Sequence, residues 1–259
     1  EVKMTDHISV TQLKMYLRCP LQYKFHYIDG LKIPPPSTIT LGKTIHQTLE
    51  ENFSQKIKTQ KDLPLEYLKD YFSDIWDIEA KETQFEEDEK PGKVKDEGIN
   101  LVSIYHKTHS PHIIPISVEE EFELEFSAQG GPASGGEKSP LKLKGYIDLI
   151  DKNHTIIDHK IKTRSMNKQD AEQDLQLTAY YLAYKIKKQK PPQGLRFDVI
   201  VRTKTPKIQQ IAITKSDQDT IRFLKILTQV TRAIKSGIFY PNESFYCNVC
   251  GYRELCRKW

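Results

Sequence analysis

The chain has 259 residues, 37% hydrophobic and 29% charged, with a formal net charge of +4. That is enough apolar content for one sizeable core near the upper limit of a single domain. It contains no run of eighteen apolar residues and no charged, apolar and small-residue succession at its N-terminus, which excludes a membrane span and an export signal and points to a soluble, cytoplasmic (intracellular) protein.

In chain order, Ser9 stands three residues before Gln12, the spacing of a capping box, and Leu13, Tyr16 and Leu17 continue as one helical face. Pro20 ends that helix at Cys19, since proline lacks an N–H and restricts the residue before it. After Pro34, Pro35 and Pro36, "LGKTIHQTLEENFSQKI" predicts a helix with Ile45, Leu49, Phe53 and Ile57 on one stripe, and His46 and Glu50 one turn apart beside it. Two more helices follow over about 63–86 and 92–107, the first with Leu68, Tyr71, Phe72, Ile75 and Trp76 at helical spacing. They read as a helical insertion into one domain.

From residue 116 the period changes to two in "SVEEEFELEF" and, beyond the Gly-rich loop "AQGGPASGGEKSP", in "LKLKGYIDLID". The loop is expected to be mobile. A turn at "DKNH" then makes residues 141–161 a β-hairpin. Residues 169–188 are helical and lead to two strands, "LRFDVIVRT" and "IQQIAIT", which implies a right-handed crossover and a parallel pairing with strand 155–161. A helix over 216–236 precedes a cysteine-bearing tail. The fold class is α/β, a mixed sheet flanked by helices. The expected organisation is one domain over 1–259, with N-terminal helices (1–62), the helical insertion (63–110), the core (113–236) and the tail (237–259).

"IIDHKIKT" at 156–163 is a strand with three ionisable residues in its middle. Alternation sends Asp158 and Lys160 to one face and His159 to the other. Asp148, from the neighbouring hairpin strand, falls in the same neighbourhood as Asp158. Two carboxylates beside a lysine repel one another unless a cation lies between them, and Mg²⁺ or Mn²⁺ on such oxygens can polarise a phosphoryl group and activate water. Taken alone, "DHK" reads equally as an Asp–Lys salt bridge on a strand edge. His46 alone reads as a structural histidine, and Tyr180, Tyr181 and Tyr184 as members of a core helix. Residues 185–207 ("KIKKQKPPQGLRFDVIVRTKTPK") are basic enough to lie along a phosphate backbone or to be a solvated loop, and Lys14, Arg18, Tyr23, Lys24 and Tyr27 offer charge and stacking surface near the first helix. Cys19, Cys247, Cys250 and Cys256 are all the cysteines in the chain, one distant residue and then C-x2-C-x5-C, a set suited to tetrahedral zinc or to an iron–sulfur cluster.

Taken together, Gly42-x3-His46-x3-Glu50, Gly145-x2-Asp148, Asp158-x-Lys160 and Gln176-x3-Tyr180 resemble, in order and spacing, the motifs of the PD-(D/E)XK nuclease superfamily. More narrowly, they look like the RecB-type branch that includes AddB-like nuclease domains and the CRISPR-associated exonucleases. The resemblance implies a restriction-endonuclease-like core and Mg²⁺ or Mn²⁺ held by His46, Asp148, Asp158 and the backbone carbonyl of His159, with Lys160 as the catalytic lysine. It places Gln176 and Tyr180 near the substrate strand or against that lysine, and it implies a [4Fe–4S] staple on the four cysteines in preference to Zn²⁺. The implied activity is hydrolysis of single-stranded or unwound DNA from an end, in repair, recombination or defence. The alternatives are a structure-specific endonuclease and a nucleic-acid-binding module that works mainly with a helicase partner.

Overall fold

The structure is a computed structural model that describes residues 6–127 and 141–259. The Gly-rich loop anticipated at 128–140 lies outside the described residues. Helix α1 (Val10–Arg18) starts as its capping box requires: the Ser9 hydroxyl accepts from the Gln12 N–H, and the Gln12 side chain accepts from the Ser9 N–H. Cys19 is extended (φ −159°, ψ 109°), so the chain breaks there, and Pro20 opens α2 (Pro20–Tyr23), which runs into a π-helical turn at Lys24–Ile28. Then come α3 (Ser37–Thr59), α4 (Leu65–Glu79) and α5 (Pro91–Thr108).

Strands β1 (Pro115–Phe126), β2 (Leu141–Asp151) and β3 (Thr155–Lys162) form an antiparallel run. Helices α6 (Lys168–Gln173) and α7 (Leu175–Lys188) carry the chain across to β4 (Gly194–Val201), which pairs with β3 in parallel. Strand β5 (Lys207–Ile213) returns antiparallel to β4, and α8 (Asp217–Lys235) precedes a tail that ends in α9 (Arg253–Cys256). The sheet order is β1-β2-β3-β4-β5, the mixed sheet and crossover that the periodicities predict.

Adjacent strand residues face opposite layers. Ile156 and Val199 pack with Leu13 of α1, Leu177 of α7 and Leu227 of α8, whereas Ile157 and Ile200 pack with Ile45 and Phe53 of α3, Phe72 of α4 and Leu101 of α5. The presumptive insertion is therefore one of the two layers that sandwich the sheet. Among the described residues no helix is long and apolar enough to cross a membrane.

Helix α3 is held at its C-terminal end by a polar clasp. Lys56, only 4% exposed, donates to Asp62 Oδ2 (2.8 Å) and to the Ser110 carbonyl (2.6 Å), and Asn52 donates to Asp62 and Ser110. The other end of the layer depends on Gly98 of α5, where a Cβ would lie 2.1 Å from Phe72 Cζ and 2.8 Å from Leu41 Cδ1. An alanine in a helix ordinarily gains about 1 kcal/mol over glycine. Phe72 is fully buried and stacked on Trp76, leaving its ring nowhere to go. Gly98→Ala is therefore expected to destabilise, by about 1–3 kcal/mol; a thermal melt shows a lowered Tm, and an unchanged or raised Tm would mean that α4 and α5 do not approach this closely.

Candidate active site

Strands β2 and β3 pair only at Leu149–Ile157 and Ile150–Ile156, so they part at Asp148. The carboxylate of Asp148 fills the gap. Its Oδ2 accepts from the His159 backbone N–H at 3.0 Å, and its Oδ1 accepts from the Tyr180 hydroxyl at 3.1 Å. Oδ2 also faces His46 Nδ1 of α3 at 3.4 Å and His159 Nδ1 at 3.9 Å. Burial alone would raise the Asp148 carboxyl, but His46, Lys160 and His159 outweigh it and hold the group below its ordinary value. Among the described residues, His46, Asp148 and His159 are the group of three whose ligand atoms lie within 4.8 Å of one another.

On the opposite face of β3, Lys160 Nζ approaches Asp158 Oδ2 at 2.6 Å, the ion pair that an isolated "DHK" suggests. The approach lacks hydrogen-bond geometry, and neither Asp158 oxygen has a hydrogen-bond donor among the described residues, although the side chain is fully buried. Burial pushes the Asp158 carboxyl up to about 7, with Lys160 opposing and Asp148 adding to the rise. Burial pulls the Lys160 ammonium down, yet Asp158 and Asp148 more than compensate and keep it above its ordinary value. A buried carboxylate whose close partner is a lysine ammonium, near a second carboxylate and a histidine nitrogen, offers oxygen and nitrogen ligands of the kind a divalent cation takes. The residues present fit such an ion.

The expected ligands are thus not equally assembled. His46 and Asp148 meet directly, whereas Asp158 stands outside that group of three. His159 was assigned only its carbonyl, yet its imidazole is one of the three. It is 3% exposed, stacked on Phe53 (centroids 6.1 Å apart) and edge-on to Tyr105 (5.2 Å), and burial pushes its pKa down to about 4.

Glu119 is a site residue that sequence reasoning missed. The β1–β2 pairing passes from Val118–Leu149 to Glu120–Ile147, which leaves Glu119 opposite Asp148 with φ at +46°. Such a backbone is rare outside glycine and collects at functional sites. Glu119 lines a small pocket of about 10 Å³ with His46, Glu50, Phe53, Asp148 and His159. Burial, then Asp148 and Glu50, push its carboxyl up to about 7.

Gln176, Tyr180 and Gly145 have structural explanations. Gln176 Nε2 donates to the Tyr180 hydroxyl at 2.6 Å, which in turn donates to Asp148, so the pair orients the carboxylate. Gly145 is opposite Phe122, whose ring would lie 2.8 Å from any Cβ there; that ring packs edge-on against Tyr180. Gly42, one turn before His46, meets nothing within 4 Å where a Cβ would be, so packing does not require it.

Beside the Lys160 face, Lys14, Leu17 and Arg18 of α1 and Asn242, Ser244 and Tyr246 of the tail line a groove of about 390 Å³, with Arg18 over the Tyr246 ring at 5.8 Å. Of the other candidates near the first helix, Tyr23 is fully buried and Lys24 is paired with Asp29. The basic stretch at 185–207 is largely neutralised: Lys185 pairs with Asp217, Lys187 and Lys188 with Glu120, Arg196 with Asp198, and Arg202 with Glu97.

The four cysteines do not converge as tetrahedral zinc requires, and their arrangement does not show the iron–sulfur cluster that the resemblance implies. Cys19, Cys250 and Cys256 pack on a small cluster of Leu21, Phe25 and Tyr252, but no three sulfurs come within 4.8 Å of one another, whereas Zn–S bonds of about 2.3 Å require closer convergence. Burial, with Cys19, Cys250 and Cys247 nearby, holds the Cys256 thiol up. The tail is joined to the N-terminal helices by other means. The Leu21 N–H donates to the Tyr240 carbonyl, Tyr16 to the Ile238 carbonyl and Tyr252 to the Leu31 carbonyl.

No curated protein matches the sequence. Among solved structures, a protein from Eubacterium rectale named as a candidate exonuclease superposes with a TM-score of 0.58 at 12% identity, over 98% of this chain and 88% of that one, which supports the fold. A second structure, SSO0001, covers 99% of this chain and 88% of its own at 14% identity, but its TM-score of 0.44 is too low to carry an argument. The family model described as the PD-(D/E)XK nuclease superfamily matches residues 7–257, and with His46, Asp148, Asp158 and Lys160 gathered where β2 and β3 part, the chain belongs to that superfamily.

Proposed function

We propose that the protein is a Mg²⁺- or Mn²⁺-dependent deoxyribonuclease acting on single-stranded or unwound DNA from an end. The observation that carries this reading is the joint at Asp148, with His46 on one side and the buried carboxylate of Asp158, ion-paired with Lys160, on the other. His46, Asp148 and Asp158, with the His159 carbonyl, would hold the metal. When bound there, a divalent cation supplies Lewis-acid polarisation of the phosphoryl group and a more acidic water.

The chain contributes the rest. Lys160, kept cationic by two carboxylates, can donate to the attacking water or to a phosphoryl oxygen as negative charge develops there. Tyr180, held by Gln176, occupies Asp148 Oδ1 and leaves Oδ2 turned toward His46. Arg18 with the exposed Tyr246 ring supports the single-strand preference, since a cationic groove with a stacking surface tracks an unpaired strand, while Lys14 beside it is paired with Asp174. Lys160→Ala and Asp148→Ala should each lower Mn²⁺-dependent cleavage of end-labelled linear single strands by at least about 100-fold, and a circular single strand should stay intact. Wild-type rates in both variants would overturn the assignment, and a cut circle would turn it toward an endonuclease.

The iron–sulfur staple rests on the cysteine spacing and on the packing of Cys19, Cys250 and Cys256 in one cluster, and we keep it as a proposal on that ground. Iron and zinc analysis of the purified chain decides it. Iron with visible absorption that Cys250→Ser abolishes supports the staple; a colourless chain without either metal leaves the tail held by its hydrogen bonds alone.

A pH dependence follows from the crowded carboxyls. Asp158 and Glu119 keep their protons to about pH 7 in the folded chain, against ordinary values of 3.8 and 4.5. At these two groups the folded state binds more protons than the unfolded one between those limits, so their contribution is lost as the pH rises through about 7, while below pH 6.5 the depressed values of His46 and His159 oppose it. Metal-free protein should therefore show a falling Tm from pH 6.5, the ordinary histidine value, to about pH 8. Excess Mn²⁺ should restore it at the upper end, because the ion replaces the lost protons. A Tm that rises through this range without metal would contradict the assignment.

A further inference from the structure

The imidazole of His159 is tied to a buried chain that runs away from the pocket. Its Nε2 lies 2.9 Å from the Tyr105 hydroxyl, and that hydroxyl lies 2.8 Å from Asp198 Oδ2. Asp198 is fully buried and ion-paired with Arg196, whose Nε donates to Oδ1 at 2.8 Å. A carboxylate only accepts, so the single hydroxyl proton of Tyr105 goes to Asp198. The Tyr105 oxygen then accepts, and the only donor that the ring can offer it is Nε2–H. A neutral imidazole carries one N–H, so the Nδ1 of His159 holds a lone pair.

No hydrogen bond satisfies that lone pair among the described residues: Asp148 Oδ2, which it faces, is 3.9 Å away and also only accepts. The ring is 3% exposed and cannot swing, with Phe53 stacked on one face and Tyr105 at its edge. Nδ1 therefore points at the place that His46 and Asp148 also address. We propose that His159 binds the divalent ion through its imidazole Nδ1, and that Tyr105 and Asp198 are positioning residues that fix its tautomer and ring plane from behind.

This rests on the metal-site reading above and adds a nitrogen ligand to it. A second nitrogen beside His46 favours Mn²⁺ over Mg²⁺, because imidazole suits transition ions better than it suits hard ones. A partner on the far ring nitrogen of a metal-binding histidine is the usual support for such a ligand, and losing it costs about 10–100-fold in metal affinity.

The test uses the full chain and Mn²⁺ alone, without DNA, read by electron paramagnetic resonance for affinity and for nitrogen coupling to the bound ion. Wild type should show coupling from two imidazoles; His159→Ala should keep that of His46 alone. Tyr105→Phe preserves the ring and its packing, so it carries the test if His159→Ala fails to fold. It should weaken Mn²⁺ by about 10-fold or more while circular dichroism stays unchanged. One imidazole coupling in wild type, or unchanged Mn²⁺ affinity in both variants, would overturn the role of His159 and leave the metal site standing. Failure of wild type to bind Mn²⁺ at all would overturn both.

Discussion

The structure depends on a single carboxylate that does the work of a missing strand pairing. Where β2 and β3 part, the His159 N–H would be left without a ladder acceptor, and Asp148 Oδ2 supplies one at 3.0 Å. An unpaired buried N–H costs about 1–3 kcal/mol, so the sheet itself stabilises this side chain in its functional position. The same oxygen faces His46 from the α3 layer, while Oδ1 is held by Tyr180 from the α7 layer. Both helical layers and two strands thus converge on one residue, which is held from three sides.

Parting the strands also changes what strand alternation means here. In an unbroken hairpin, Asp158 and Lys160 would serve one face and His159 would be lost to the other. Because the gap opens beside β3, both faces have access to the neighbourhood of Asp148. The Lys160 face meets α1 and the tail, where the basic and aromatic groove lies. The His159 face meets α3 and α5, where Phe53 and Tyr105 hold the ring. The α4–α5 region, which looks in sequence like an addition to a nuclease core, therefore supplies Tyr105 to the back of the site.

Most of the fold was legible because its signals are local. The Ser9–Gln12 box, the break at Cys19 before Pro20, and the change from helical to alternating period near residue 116 each act through nearest neighbours in the chain. The ordered motifs singled out His46, Asp148, Asp158 and Lys160, the residues on which the proposed site rests. Glu119 was not legible: within "EEE" it reads as one more solvated strand residue, and only the skip in pairing, with φ at +46°, turns it toward Asp148. The basic stretch misled for the converse reason, since its partners Glu97, Glu120 and Asp217 are distant in sequence and neutralise it only after folding.

The cysteines show where spacing stops being evidence of geometry. Spacing fixes which thiols can reach a common point, and the packing of Cys19, Cys250 and Cys256 around Leu21, Phe25 and Tyr252 agrees with that much. A ligand shell needs more, because neutral thiols attract one another no more than methyl groups do, and only deprotonation on an ion draws them inward. Aspartate differs in that a carboxylate has hydrogen-bond partners within the protein itself. Asp148 is therefore held in position by His159 and Tyr180 before any cation arrives, whereas the tail thiols are held by apolar packing and, at Cys247, by the Ser244 N–H.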